Sequence, residues 1–148
     1  MKRLIGVLLI LGGVRAVAAD KKEDAIKDAM EKLQGTYICV MTETDGMKGD
    51  ADRIKKLKLV VKDKKWTVYI DDKVSTSATF TVDPAKKPKT IDLTGTMGGD
   101  KGVKYLGIYE LSGDDLKLCI GDDKARAKVF DGKKGTRRQF EVWKRLKE

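Results

Sequence analysis

Histidine, the side chain that most often moves protons in enzymes, is absent from this chain. A serine or cysteine nucleophile therefore lacks its usual base, and zinc, copper or non-haem iron lack their usual nitrogen ligand. Glu43, Glu110 and Glu141 fall on segments that read as strands, where a carboxylate is less expected than in a turn. Two of them in one cleft would support acid–base or glycoside chemistry. Glu110 and Glu141 alternate with apolar neighbours, however, so the pattern points both outward. The doublets Asp71-Asp72, Asp114-Asp115 and Asp122-Asp123 sit at expected turns, where Asp bonds local backbone. They lack the regular oxygen spacing of a calcium loop. Gly98-Gly99 and Gly102 precede no helix, so a phosphate cradle has little support. The expectation is a protein with no cofactor, no metal and no catalysis, a carboxylate-only hydrolase being the enzymatic alternative.

Cys39 and Cys119 are the only thiols. They fall on the first and seventh expected strands, which a closed meander separates by the eighth. Next-but-one strands lie about 9–10 Å apart, and a disulfide needs Cα atoms within about 7 Å. Cys119 also has the opposite parity to its core-facing neighbours. Two packed free thiols are favoured over a bridge.

Binding is the other chemistry open to the chain. Tyr37, Trp66, Phe80 and Tyr109 are candidates to line a cavity for a small hydrophobic ligand, or equally to fill a solid core. A second candidate surface is basic: Lys124, Arg126, Lys128, Lys133, Lys134, Arg137 and Arg138 lie in a stretch with few acidic residues. It would suit anionic envelope polymers or proteins, and would serve equally as a solvated face. Nucleic acid is not expected, because no exposed aromatics interleave with the cations and no reading module is present.

The elements that must position these residues follow from the apolar pattern. Met1-Lys2-Arg3, the apolar run Leu4 to Val14 and the small residues Ala16 to Ala19 read as a signal peptide, residues 1–19, cleaved after Ala19. The run is too short to span a membrane, so the mature chain carries no transmembrane segment. The expected location is secreted or periplasmic. Removing the signal leaves 29 basic against 23 acidic side chains in a single domain, residues 20–148. Asp20 to Leu33 reads as a short amphipathic helix through Ile26, Ala29, Met30 and Leu33, suited to plugging one end of a sheet.

Alternating segments then begin at Gly35, Leu57, Trp66, Ser77, Ile91, Val103, Leu116 and Arg138, eight strands in all. On the last, Phe140 and Val142 are expected to face the core. Asp45 to Arg53 reads as a loop, with Asp50 able to cap a short helical turn. Short links make the strands successive hairpins, and a sheet of this size hides its edges by closing. The fold class is therefore all-β, an eight-stranded antiparallel up-and-down barrel with a short N-terminal helix. An open sandwich is the structural rival.

Three segments carry a resemblance. They are Leu33-Gln34-Gly35-Thr36-Tyr37, the stretch from Asp83 to Leu93, and Leu106 to Leu111 with Gly113 to Cys119. They resemble a family of secreted planctomycete proteins of uncharacterised function, over nearly all of the mature chain. The family's Arg-Pro-Thr-Glu-Phe segment is partly kept as Arg126 to Phe130. The resemblance implies a lipocalin-like barrel. Gly35-Thr36-Tyr37 is similar to the Gly-x-Trp that opens the first lipocalin strand, where the aromatic closes one barrel end. Two functional readings follow: a ligand-binding barrel with the 45–53 loop near its open end, or an envelope module using the basic surface.

Overall fold

The computed structural model describes residues 13–122 and 124–148. Most of the expected signal peptide therefore lies outside the described residues. The described residues form two α-helices and nine strands: α1 Gly13–Leu33, β1 Gly35–Thr44, β2 Met47–Lys48, a one-turn α2 Ala51–Ile54, β3 Leu57–Lys62, β4 Lys65–Ile70, β5 Lys73–Asp83, β6 Lys89–Gly95, β7 Lys104–Ser112, β8 Asp115–Ile120 and β9 Gln139–Arg145. Every strand pair is antiparallel, and the order from β3 to β9 follows the sequence. β1 pairs with β3 on one side and β9 on the other, closing an eight-stranded lipocalin-like barrel. The strand outside the barrel, β2, is a two-residue spur. Asp45 (φ 51) and Gly46 (φ 78) make a left-handed turn that folds Met47 and Lys48 back onto the end of β1.

The hairpin turns use Asp as expected. Asp63 and both residues of Asp71-Asp72 adopt positive φ, and Lys56 and Lys58 pair with Asp71 and Asp72. The helix is longer than the amphipathic pattern suggested, but its packing face is the expected one. Leu33 is fully buried, and Ile26, Ala29 and Met30 pack on the core. No described helix is long and apolar enough to cross a membrane.

α1 closes one end of the barrel through a lock on three elements. The Tyr37 hydroxyl donates to the Leu33 carbonyl (2.8 Å). Arg145 on β9 donates through Nη2 to Tyr37 Oη (2.8 Å) and to the Lys32 carbonyl, and its guanidinium lies 5.3 Å from the Tyr37 ring centre. Tyr37 thus closes the barrel end that its Gly-x-aromatic setting implied.

Two features re-aim side chains in ways that alternation alone does not show. In β1, Cys39 pairs with Trp143 but Met41 pairs with Val142, so Val40 is an extra residue. Beyond this bulge Thr42 and Thr44 take the inner face, and Glu43 turns outward to accept the Gly132 N–H (2.9 Å). On β9 the expected parity is reversed. Glu141 and Trp143 face inward, and Phe140 packs on the outer wall with Phe130, Ile108, Cys119 and Ala127. The stretch from Gly121 to Arg138 covers that wall, so β9 is apolar on its outer face too. Phe140 and Val142 therefore do not face the barrel core, and Glu141 does not point outward. Glu110 is exposed, as its pattern indicated.

The same covering explains the thiols. Cys39 belongs to the interior cluster and Cys119 to the outer one, so the barrel wall separates them, and both are free.

Candidate functional site

The barrel interior is filled at one end and hollow at the other. Around the helix-plugged end, Leu33, Tyr37, Leu59, Val61, Phe80, Val82, Ile91, Tyr109 and Leu116 are large and buried. Toward the other end the inward positions carry Thr42, Thr44, Ser75, Thr76, Ala78 and Gly95, which are too small to meet across the barrel. They leave a cavity of about 750 Å³. Its apolar wall comes from Ile54, Leu57, Trp66, Val68, Ile70, Leu93, Tyr105, Ile120 and Trp143.

The mouth is built by the segment from Met47 to Ile54. Asp50 caps α2, accepting the N–H groups of Asp52 (2.7 Å) and Arg53 (3.1 Å). The Gly49 N–H bonds the Thr42 carbonyl (2.9 Å), beyond the stretch of β1 that pairs with β3. A Cβ on Gly49 would lie 2.1 Å from the Thr42 hydroxyl oxygen, so any larger residue would force the Thr42 side chain to turn away. The segment is thereby fastened to the rim, with Lys48 and Arg53 exposed at the opening and Met47 70% exposed.

One ionisable group stands in the cavity wall without solvent around it. Glu141 is 8% exposed. Its Oε2 accepts from Trp143 Nε1 (2.7 Å) and its Oε1 from Gln139 Nε2 (2.5 Å). Burial pushes the carboxyl above the ordinary glutamate range, and the two hydrogen bonds only partly offset this. Neither donor is charged, and no ion pair reaches Glu141 among the described residues. Nearby Cys39 is also pushed up, to about 12, by burial and then by the Glu141 charge.

Of the four aromatics singled out from sequence, only Trp66 lines the cavity. Phe80 packs edge-on against Trp66 (5.6 Å between centroids) on the filled side, and Tyr37 belongs to the end lock. Tyr109 is buried with no hydrogen-bond partner for its hydroxyl among the described residues, and burial pushes that hydroxyl's pKa up to about 12. Sequence reasoning named Glu141 but pointed it outward, and it missed Gln139 and Trp143. Their common signal was the Gln-x-Glu-x-Trp spacing on one face of β9, hidden by the apolar residues between them.

The basic stretch divides in two. Arg126 is anchored on the barrel wall, with Nη2 2.7 Å from Asp92 and Nη1 donating to the Gly107 carbonyl (2.8 Å). Arg138 pairs with Asp131 and bonds its carbonyl. Lys124, Lys128, Lys133, Lys134 and Arg137 are exposed and make no ion pair among the described residues. The described residues bring no three Cys, Asp or Glu side chains together as a metal set. No protein-family model and no curated protein matches the chain.

Proposed function

We propose that this chain is an exported, non-catalytic barrel that holds one small amphipathic molecule in its hollow half. The cavity carries this reading. Its volume of about 750 Å³ falls within the roughly 300–1,000 Å³ common to small-molecule sites. Mostly apolar walls with a few fixed polar groups suit a ligand with a greasy body and one polar end. Export is supported by the charged start, apolar run and small residues of the first 19 positions. Membership of the secreted family resembled by the three segments above belongs to the same proposal.

The test uses N-phenyl-1-naphthylamine, a neutral amphipathic probe whose fluorescence rises in apolar surroundings. Saturable one-to-one binding is expected, with altered emission from Trp66 and Trp143 in the wall. Val68→Trp, which grows a large side chain into the hollow, should weaken binding at least about ten-fold, the loss expected when about 1.4 kcal/mol of contact is removed. Non-saturable binding, or binding that Val68→Trp leaves unchanged, would sink the reading.

A second reading rests on five exposed cations of the 121–138 covering segment that make no ion pair among the described residues, and which offer a surface to anionic envelope polymers or proteins. It predicts salt-sensitive retention on an anionic polysaccharide column that falls in the Lys133→Ala, Lys134→Ala, Arg137→Ala triple variant. Arg126 and Arg138 are poor probes of that surface, since their charges are already engaged.

A further inference from the structure

We infer that the hollow half of the barrel selects amphiphiles with a protonated amine head, and that Glu141 is the residue that receives it. The inference deepens the binding proposal above and rests on it.

The argument starts from an unbalanced charge site. Glu141 lines the cavity and is buried, yet both of its described hydrogen-bond partners are neutral donors. A carboxylate has about four lone-pair positions, and Gln139 and Trp143 occupy two. The others remain for a group arriving through the cavity. The remaining charged side chains of the lining are Lys48, Asp50, Arg53 and Asp100. Asp50 is committed to the α2 cap, and Asp100 accepts the Tyr105 hydroxyl (2.7 Å). Lys48 and Arg53 are exposed at the mouth. Asp50 and Asp100 are also exposed, so Glu141 is the one buried carboxylate of the lining, and it has acceptor capacity to spare.

An alkyl ammonium fits this arrangement better than the other polar heads. Its N–H groups donate to the free positions of Glu141, and its charge replaces the missing counter-ion. If the carboxyl holds a proton before binding, that proton leaves to solvent as the ammonium takes its place. The alkyl body then lies against Val68, Ile70, Leu93 and Ile120. A fatty carboxylate would set two anions together, and an alcohol would leave the charge unbalanced.

Calorimetric titration of the full mature chain with decylammonium, decanol and decanoate tests the inference, each below its micelle concentration. Decylammonium should bind about ten- to a hundred-fold tighter than decanol, as for a charge-assisted hydrogen bond, with decanoate weakest. Glu141→Gln should bring the amine and alcohol within about three-fold while alcohol binding persists. If decanol or decanoate matches decylammonium on the wild type, the inference is overturned whether or not the variant folds. It is equally overturned if the amine preference survives in Glu141→Gln. If none of the three ligands binds, the cavity proposal falls, and this inference with it.

Discussion

The burial of Glu141 makes a specific demand on stability as a function of pH. Its folded-state pKa is raised, chiefly because burial disfavours the charged form. An unfolded glutamate titrates near about 4.3. Below that value both states carry the proton, and the group favours neither. Above it the unfolded chain has lost the proton while the folded chain keeps it, so stability falls as pH rises. The slope is up to about 1.4 kcal/mol per pH unit until the folded pKa is passed, and then levels. Glu141→Gln isolates the effect, because an amide oxygen can still accept from Trp143 Nε1 while Gln139 turns its own amide to match. Cys39 and Tyr109, both held to about 12, stay neutral throughout, and the remaining groups are common to both proteins. Urea unfolding of wild type and variant from pH 4 to pH 8 gives the difference directly. The wild type should lose ground to Glu141→Gln as pH rises from about 4.3. A difference that is flat, or that favours the wild type with rising pH, would refute the burial argument.

Other expectations are simpler to check. Arg145→Ala removes charged hydrogen bonds to Tyr37 and Lys32, so it should cost about 1.5–3 kcal/mol. That corresponds to a melting temperature lowered by roughly 5–15 °C in a domain of this size, with Arg145→Lys intermediate; a shift of a degree or less would show that the lock contributes nothing. Cys39 and Cys119 should ignore a disulfide reagent in the native protein at pH 8, and both should react in denaturant. Fewer than two thiols in denaturant would mean a bridge. Sequencing of the exported protein should begin at Asp20. Cleavage there spares Ile26, Ala29, Met30 and Leu33, so the helical plug would survive; a mature chain starting after Leu33 would remove it.

Much of the barrel was legible because its physical causes are local. Alternation in β3, β4, β5 and β8, Asp and Gly at the turns, and short links dictate a meander, and closure follows from the edges it must hide. The helical plug and the Asp50 cap were readable for the same reason. The site was not, because it depends on contacts between distant segments. The Val40 bulge shifts Thr42 and Thr44 inward, and nothing within β1 marks an extra residue. On β9, Phe140 and Val142 read as the core face because they are apolar, but Phe140 packs against Ala127 and Phe130 of the 121–138 segment outside the barrel. The face that Phe140 leaves inward therefore carries Glu141 and Trp143. The hollow itself arises from small side chains contributed by separate strands, Thr42, Ala78 and Gly95 among them. No single strand announces it.

The proposal that an amphipathic molecule occupies the hollow half is tested most directly by native mass spectrometry of the exported protein, wild type beside Val68→Trp. The account predicts a discrete small-molecule increment on the wild type, lost on gentle activation and missing from the variant. A wild type that flies bare even after incubation with decylammonium, or an increment carried equally by Val68→Trp, would contradict it.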